Sequence, residues 1–218
     1  MKKSLPALII TSVLLFNGLR VTAQTADNRH HDGFYVSFGL GPSLGHIDAV
    51  NLLPYNSTEY NSEYSGTPVA FDFRIGGAVK QDWILTFDMV GRSMTSPQIK
   101  TDSISYTTND NFTISENTYG VGVSRFFMPL NVYVGATVGT GIFVFDYNDG
   151  TAENSSTIRS KGGLSWMLRA GKSWYLGRKW GLGVGMGFSR TTTHTVDQGV
   201  TEDLTSNQFL GTITVSYQ

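Results

Sequence analysis

The sequence predicts an all-β fold, an eight-stranded antiparallel up-and-down transmembrane β-barrel, on three observations. Apolar residues recur at every second position in eight segments, which is the period of a strand whose two faces meet different surroundings. The apolar positions of these segments carry no charged residue, whereas the opposite positions do. Short and long connections alternate between the segments, as they do in barrels that place every long loop at one rim.

The beginning of the chain has the layout of a secretory signal peptide. Lys2 and Lys3 precede an apolar run that ends at Phe16, and small residues follow before Gln24. This run is shorter than the roughly 20 residues that cross a bilayer as a helix. We therefore predict a signal peptide over residues 1–23, a short periplasmic leader over 24–32 and an outer-membrane barrel over 33–218.

Composition excludes several classes of protein. The chain has no cysteine, so neither disulfides nor thiolate metal sites are available to it. Without residues 1–23 it would retain 13 basic and 17 acidic residues, a formal net charge of −4. A mildly acidic chain does not favour a nucleic-acid surface.

The alternation of large apolar residues with small or polar ones predicts the position of each of the eight strands. The seventh is the most informative, because glycine occupies every second position between Trp180 and Phe188. In a barrel these glycines would face a narrow interior and the large residues would face lipid. We expect the long arginine side chains of neighbouring strands to fill the space above the glycines. The predicted strands are 34–41, 68–79, 83–89, 118–126, 130–139, 164–171, 180–188 and 209–217.

The connections predict which rim faces the exterior. Those at 80–82, 127–129 and 176–179 are short, whereas the long ones are rich in Ser, Thr, Asn, Asp and Glu. The long connections, predicted as polar extracellular loops able to meet an extracellular ligand, are 46–66, 95–113, 146–160 and 190–206. Aromatic residues near the short turns predict a girdle at the membrane interface. They are Phe34, Trp83, Phe126, Phe127, Trp174, Tyr175, Trp180 and Tyr217.

Three acids and three arginines fall on the small-residue faces. A charge in a narrow interior has to be paired, because an unpaired ion there is costly to desolvate. An eight-stranded barrel is just wide enough to be filled by side chains, so we predict a salt-bridged plug and not a channel. The six residues are Asp72, Arg74, Asp88, Arg92, Glu116 and Arg169.

In this architecture, over residues 33–218, the chain resembles the small bacterial outer-membrane barrels typified by OmpX and the membrane domain of OmpA. Its ending, Ile213 to Gln218, is similar to the C-terminal strand that the barrel-assembly machinery recognises, although the aromatic Tyr217 is penultimate and not last. The resemblance implies location in the outer membrane, contact with outer-membrane lipid and lipopolysaccharide, and assembly by that machinery.

Residues able to carry chemistry are sparse, and we predict no catalytic, cofactor-binding or metal-binding residue. His30 and His31 are expected to be solvated in the leader. Lipid A deacylases of similar barrel size place a serine two residues after the catalytic histidine, but Val196 stands there after His194. Residues 146–153 resemble a calcium loop only superficially, because Gly150 takes the place of a ligand, and a solvated turn is expected.

The predicted function is that of a non-enzymatic outer-membrane barrel that presents four polar loops for membrane integrity, adhesion or another surface interaction. Three alternatives remain open. A small-solute channel would need unpaired polar space in the barrel interior. A lipid-modifying barrel enzyme would depend on His194. A secreted lipocalin-like binder would turn its large apolar residues inward.

Overall fold

The computed structural model describes residues 30–52, 59–101, 104–148, 155–197 and 200–218. The predicted signal peptide, most of the leader and the tips of the long connections lie outside these ranges. The strands are β1 (Phe34–Leu52), β2 (Glu59–Gly66), β3 (Val69–Lys80), β4 (Trp83–Thr95), β5 (Gln98–Thr101), β6 (Ser105–Thr107), β7 (Phe112–Phe127), β8 (Val132–Asn148), β9 (Ser155–Arg159), β10 (Gly163–Tyr175), β11 (Trp180–Asp197) and β12 (Val200–Tyr217).

Eight long strands close into the predicted antiparallel barrel. They follow the order β1, β3, β4, β7, β8, β10, β11 and β12, each pairing with the next. The circle closes where β12 pairs with β1, from Val36 opposite Tyr217 to Leu52 opposite Thr201. Among the described residues, no helix is long and apolar enough to cross a membrane.

The four long connections differ most from the prediction, because much of each is strand and not loop. The ladder between β11 and β12 continues to Asp197 opposite Val200, and β2, β5, β6 and β9 extend the wall at the same rim. The two-residue alternation persists there with polar residues such as Thr192, Thr205 and Asn207 on the outer face, and threonine is a favourable strand residue. The assignment of 46–66, 95–113, 146–160 and 190–206 as loops was therefore wrong for most of their described residues.

The two faces of the wall are distributed as predicted. Large apolar residues such as Phe38, Leu40 and Val121, each more than half exposed, point outward. The six predicted charged residues point inward and are no more than 7% exposed. This is the reverse of a lipocalin-like arrangement. A closed barrel with an apolar outer belt can cross a bilayer because its edges are paired, and single-chain barrels of this kind are proteins of the bacterial outer membrane.

The aromatic girdle is confirmed for most of the predicted residues, but Phe126 and Tyr175 were assigned to the wrong face. Each is the immediate neighbour of an outward-facing aromatic residue, and successive strand residues must face opposite sides. Phe126 is 2% exposed inside the barrel, and the Tyr175 ring centroid lies 6.3 Å from that of His31, itself a buried residue. On the outer face, the rings of Trp180 and Tyr217 meet edge to face at 5.4 Å.

The glycine stripe of β11 faces the interior, as predicted, but the atoms nearest to Gly183 and Gly185 do not belong to arginines. A Cβ built on Gly183 would lie 2.7 Å from the Thr214 hydroxyl and 2.7 Å from the Lys172 carbonyl oxygen. One built on Gly185 would lie 2.9 Å from the Tyr133 hydroxyl. The interior groups nearest the stripe therefore include the short hydroxyl side chains of β12 and the ring of Tyr133.

Candidate functional site

The barrel interior contains five successive layers of side chains, apolar and ionic in turn. Strand β4 contributes one inward residue to each layer, in the order Ile84, Asp88, Val90, Arg92 and Met94 from the short-turn rim. The three apolar layers are Tyr35, Ile84, Phe126 and Tyr133; Ala70, Val90, Met167 and Leu210; and Ile47, Ala49, Met94, Ile114, Phe143 and Leu204.

The lower ionic layer joins four of the predicted charged residues. Arg169 lies 3.1 Å from Asp88 (Nη2 to Oδ2) and 3.6 Å from Asp72 (Nη1 to Oδ1), and Arg74 Nε lies 3.7 Å from the same Asp72 oxygen. The Thr137 hydroxyl donates to Asp88 and accepts from Arg169. Two arginines and two aspartates therefore balance within the layer.

Aromatic rings also hold Arg74 in place. Its guanidinium carbon lies 5.2 Å from the ring centroid of Tyr133 and 5.7 Å from that of Tyr35, within the range of a cation–π interaction. Its Nη2 donates to the Ser37 hydroxyl at 3.2 Å. Arg74 thus links the lower ionic layer to the aromatic layer beside the short turns.

The upper ionic layer is a single pair supported by hydroxyl groups. Arg92 Nη1 lies 3.0 Å from Glu116 Oε1, and Arg92 Nη2 donates to the Ser189 hydroxyl at 2.6 Å. Glu116 accepts from Thr191 at 2.7 Å and from Ser206 at 2.8 Å. Both carboxylate oxygens are thereby satisfied by residues of β4, β11 and β12. All six charged residues predicted to pair inside the barrel do so.

His31, in the described end of the leader, packs into the short-turn end of the barrel, which the sequence did not predict. The expected solvated position of His31 was wrong: its side chain is buried, its ring centroid lies 4.0 Å from that of Phe126, and its Nε2 is 2.9 Å from Asn131 Oδ1. The alternation of β1 could have indicated this position. Its odd-numbered residues, such as Tyr35 and Ser37, face inward, and His31 is odd-numbered as well.

Backbone and side-chain hydrogen bonds fasten His30 and His31 to the turn between β3 and β4. Asp82 Oδ1 accepts from the His31 amide at 3.0 Å, its Oδ2 lies 2.9 Å from His30 Nδ1, and its own amide donates to the His31 carbonyl at 3.0 Å. Burial lowers the pKa of His31 below its ordinary value. Partial burial acts to raise the pKa of Asp82, but the bonds from His31 and His30 outweigh it and hold that pKa low.

At the opposite rim, two exposed histidine–aspartate pairs lie on the outer face. His194 Nδ1 is 2.5 Å from Asp203 Oδ1, and His46 Nε2 is 3.4 Å from Asp48 Oδ2. Asp146, predicted to lie in a solvated turn, belongs to β8 and accepts from the Thr157 hydroxyl on β9 at 2.7 Å. Residues 149–154 lie outside the described ranges.

Few of these histidine and carboxylate side chains lie close to one another, which limits the catalytic or metal-binding chemistry they could carry out. Within the described part of the chain, no three His, Asp or Glu side chains are grouped so as to hold a metal ion. The prediction that the protein has no catalytic, cofactor or metal site stays a prediction.

Comparisons with known proteins give the following. No protein-family model matches the chain, and a search of curated proteins finds no match either. Among solved structures, the outer-membrane protease OmpT from Escherichia coli is 9% identical, with a TM-score of 0.48. The match covers 89% of this chain and 99% of the OmpT chain. Neisserial surface protein A is 12% identical, with a TM-score of 0.48, covering 84% and 96%. The outer-membrane protein AlkL is 16% identical, with a TM-score of 0.46, covering 91% and 96%.

Proposed function

We propose that the protein is a non-enzymatic outer-membrane barrel whose closed interior makes it a rigid anchor for polar strand extensions at the cell surface. Through these extensions it would take part in adhesion or another surface interaction. Contact with outer-membrane lipid and lipopolysaccharide, and insertion by the barrel-assembly machinery, belong to the same proposal. The observation that carries it is the filling of the interior by five side-chain layers.

The ionic layers argue against a small-solute channel. A solute path needs polar groups that face open space, whereas the six interior charges form pairs within two layers. Apolar clusters stand above, between and below these layers. Displacing any layer would expose buried charges or open an apolar gap, both of which are costly. A filled interior is also what the diameter of an eight-stranded barrel favours.

The strand extensions supply the surface that would meet a partner. They carry exposed apolar and aromatic side chains in a polar setting: Ile104 is 63% exposed, Tyr106 50% and Ile158 64%. These residues lie at the long-connection rim, beyond the apolar belt that faces lipid. Exposed aromatic and aliphatic groups surrounded by polar residues are typical of contact sites between proteins.

Planar-bilayer recording of the refolded protein tests the closed interior. We expect no steady single-channel conductance from the wild-type barrel. Arg74→Ala removes the residue that joins the aromatic and ionic layers, and it should produce at most brief openings. A steady open pore in the wild type that persists unchanged in Arg74→Ala would contradict the plug.

Surface display tests the role of the extensions. Cells that present the wild-type barrel should aggregate or attach to coated surfaces more than cells that present the triple variant Ile104→Ser, Tyr106→Ser, Ile158→Ser. Thr107→Ser, an exposed conservative change on the same extension, is the matched control. Equal attachment by the wild type and the triple variant, at equal surface levels, would remove the support for adhesion through these side chains.

A lipid-modifying enzyme is the second candidate, and the close contact of His194 with Asp203 is the observation that favours it. An aspartate that orients a histidine is half of the arrangement used for nucleophilic catalysis. The deciding assay incubates the barrel with lipid A and follows release of fatty acid. Activity that is lost in His194→Ala would replace the non-enzymatic proposal.

A further inference from the structure

The outer wall of the barrel has a hollow where β1, β10, β11 and β12 meet. Its volume is about 600 Å³, within the usual range for small-molecule sites. A side chain is missing at its floor, where a Cβ built on Gly211 would meet no atom within 4 Å. The hollow is lined chiefly by Pro42, Leu44, Leu168, Met186, Phe188 and Phe209.

The hollow faces lipid, and its lining is apolar except for Arg169, whose charge is paired with Asp72 and Asp88 inside the barrel. Met186 is 71% exposed, Phe209 62% and Leu44 59%. Phe188 and Phe209 are cross-strand neighbours whose ring centroids lie 4.7 Å apart, and they form the edge nearest the long-connection rim. A membrane protein with a hollow on its apolar belt presents it to acyl chains, because hydrocarbon is the surrounding solvent at that depth.

A polar row lies directly above these two rings. In the strand register, Trp166, Arg190, Asn207 and His46 are successive neighbours across β10, β11, β12 and β1. Arg190 is exposed, and its Nη1 donates to Asn207 Oδ1 at 3.4 Å. Asp48 on β1 faces outward one row farther out, 3.4 Å from His46, and Asp203 on β12 lies farther still, paired with His194.

This polar row marks the outer membrane interface. Below it the outward positions of β1, β11 and β12 are apolar, and in the row above it they are Asp48, Thr192 and Thr205. Lipid phosphates lie at the level where hydrocarbon gives way to water, and a guanidinium binds phosphate with charge-assisted hydrogen bonds. Asp48 and Asp203 each have a histidine partner, and Glu63 lies beside Asp48 on β2, away from β11. Arg190 is the arginine of this row.

We propose that the hollow and Arg190 together form a binding site for a phosphate-bearing acyl lipid of the outer leaflet. One acyl chain lies in the hollow over Gly211, and the phosphate accepts hydrogen bonds from Arg190, with Asn207 and His46 beside it. The inference rests on the lipid contact of the proposed function and gives it a specific site. It does not depend on the surface-recognition role of the extensions, so either can fail without the other.

Native mass spectrometry of the full-length mature barrel, released in mild detergent, tests the site. The probes are lipid A, dephosphorylated lipid A and glycerol phosphate, which separate the complete ligand from its acyl part and from a bare phosphate ester. We expect one lipid A to be retained at least tenfold more tightly than either partial probe. Equal retention of lipid A and dephosphorylated lipid A would overturn the role of the phosphate.

Two variants test the phosphate-binding and acyl-binding parts of the site separately. Arg190→Gln should lower lipid A affinity at least tenfold, to the level of dephosphorylated lipid A, while Gly211→Leu should weaken both lipids by filling the hollow. Ala170→Leu fills the same hollow from β10 and serves if Gly211→Leu does not fold. Arg125→Gln and Val121→Leu, which change an outward cation and an outward apolar residue on β7, away from the hollow, should leave retention unchanged. Loss of retention in these two controls, or wild-type retention in Arg190→Gln, would refute the site.

Discussion

Arg92 and Glu116 are direct cross-strand neighbours on β4 and β7, and Arg92 Nη1 lies 3.0 Å from Glu116 Oε1 where each side chain is only 2% exposed. Two further hydroxyl donors reach Glu116 from β11 and β12. This carboxylate therefore connects strands on different sides of the interior. The ion pair therefore both neutralises two buried charges and holds β4 and β7 to β11 and β12 across the interior.

Glu116→Ala should destabilise the barrel by about 3 kcal/mol or more, since it leaves Arg92 buried without a counter-ion. The double variant Arg92→Met, Glu116→Leu should recover most of that loss, because it removes both charges and keeps apolar volume. Urea unfolding of the refolded protein, followed by the temperature-dependent shift in gel mobility, measures both. A single variant as stable as the wild type would mean that the pair is not coupled in the folded barrel.

Gly183→Leu should impair folding through overpacking. The nearest contact of the added side chain would be 2.7 Å, to a carbonyl oxygen and to the Thr214 hydroxyl, and overpacking of this kind costs about 1–3 kcal/mol or more. Ala136→Leu makes a similar change on the lipid-facing side of β8 and should be tolerated. The yield of heat-modifiable, folded barrel compares the two variants, and equal yields would contradict an inward-facing glycine stripe.

The wall of this barrel could be predicted from sequence because period-two alternation is a local property. It identified the inward position of Asp88 and Arg169 and the outward position of Phe38, and the alternation of connection lengths gave the topology. The paired charges followed from the cost of burying an ion. These inferences need no knowledge of distant contacts.

The parts that escaped prediction depend on contacts between residues far apart in sequence. The burial of His31 requires Asn131 and Phe126, which lie about a hundred residues away. The cover over Gly185 comes from Tyr133 and not from an arginine, which depends on how closely the walls approach. The strand extensions consist of polar residues whose composition is typical of loops, and only their pairing across β1, β11 and β12 makes them strands.

Docking of the leader should depend on pH. Because burial lowers the folded-state pKa of His31 below the ordinary value of 6.5, the undocked leader takes up a proton first as the pH falls. The stabilisation from docked His31 is therefore complete above about pH 6.5 and is lost as the pH falls through the lower, folded-state pKa. Asp82, whose pKa is also lowered, contributes stability that is lost only at more acidic pH.

Hydrogen exchange at the Asp82 amide measures this docking, because that amide donates to the His31 carbonyl. Its protection, corrected for the intrinsic pH dependence of exchange, should fall between pH 7 and pH 5. His31→Gln keeps a hydrogen-bond donor for Asn131 and cannot be protonated in this range. The protection of the Asp82 amide in this variant should therefore not change between pH 7 and pH 5. The same fall in both proteins would show that His31 does not control docking.

Tyr133 should be the most sensitive aromatic residue of the interior, because it serves two layers. Its ring centroid lies 5.2 Å from that of Phe126 and 5.2 Å from the Arg74 guanidinium carbon, and its hydroxyl covers Gly185. Tyr133→Ala should cost about 3–5 kcal/mol through the cavity it leaves, whereas Tyr133→Phe retains the ring and should cost about 1.5 kcal/mol or less.

The matched comparison is Tyr119→Ala on the lipid-facing side of β7, where the side chain is 37% exposed. Lipid can occupy the space it vacates, so the loss of stability should be smaller than for Tyr133→Ala. Urea midpoints of the three variants give the ranking. If Tyr119→Ala were the more damaging change, the stability of the barrel would depend on its lipid-facing belt more than on its filled interior.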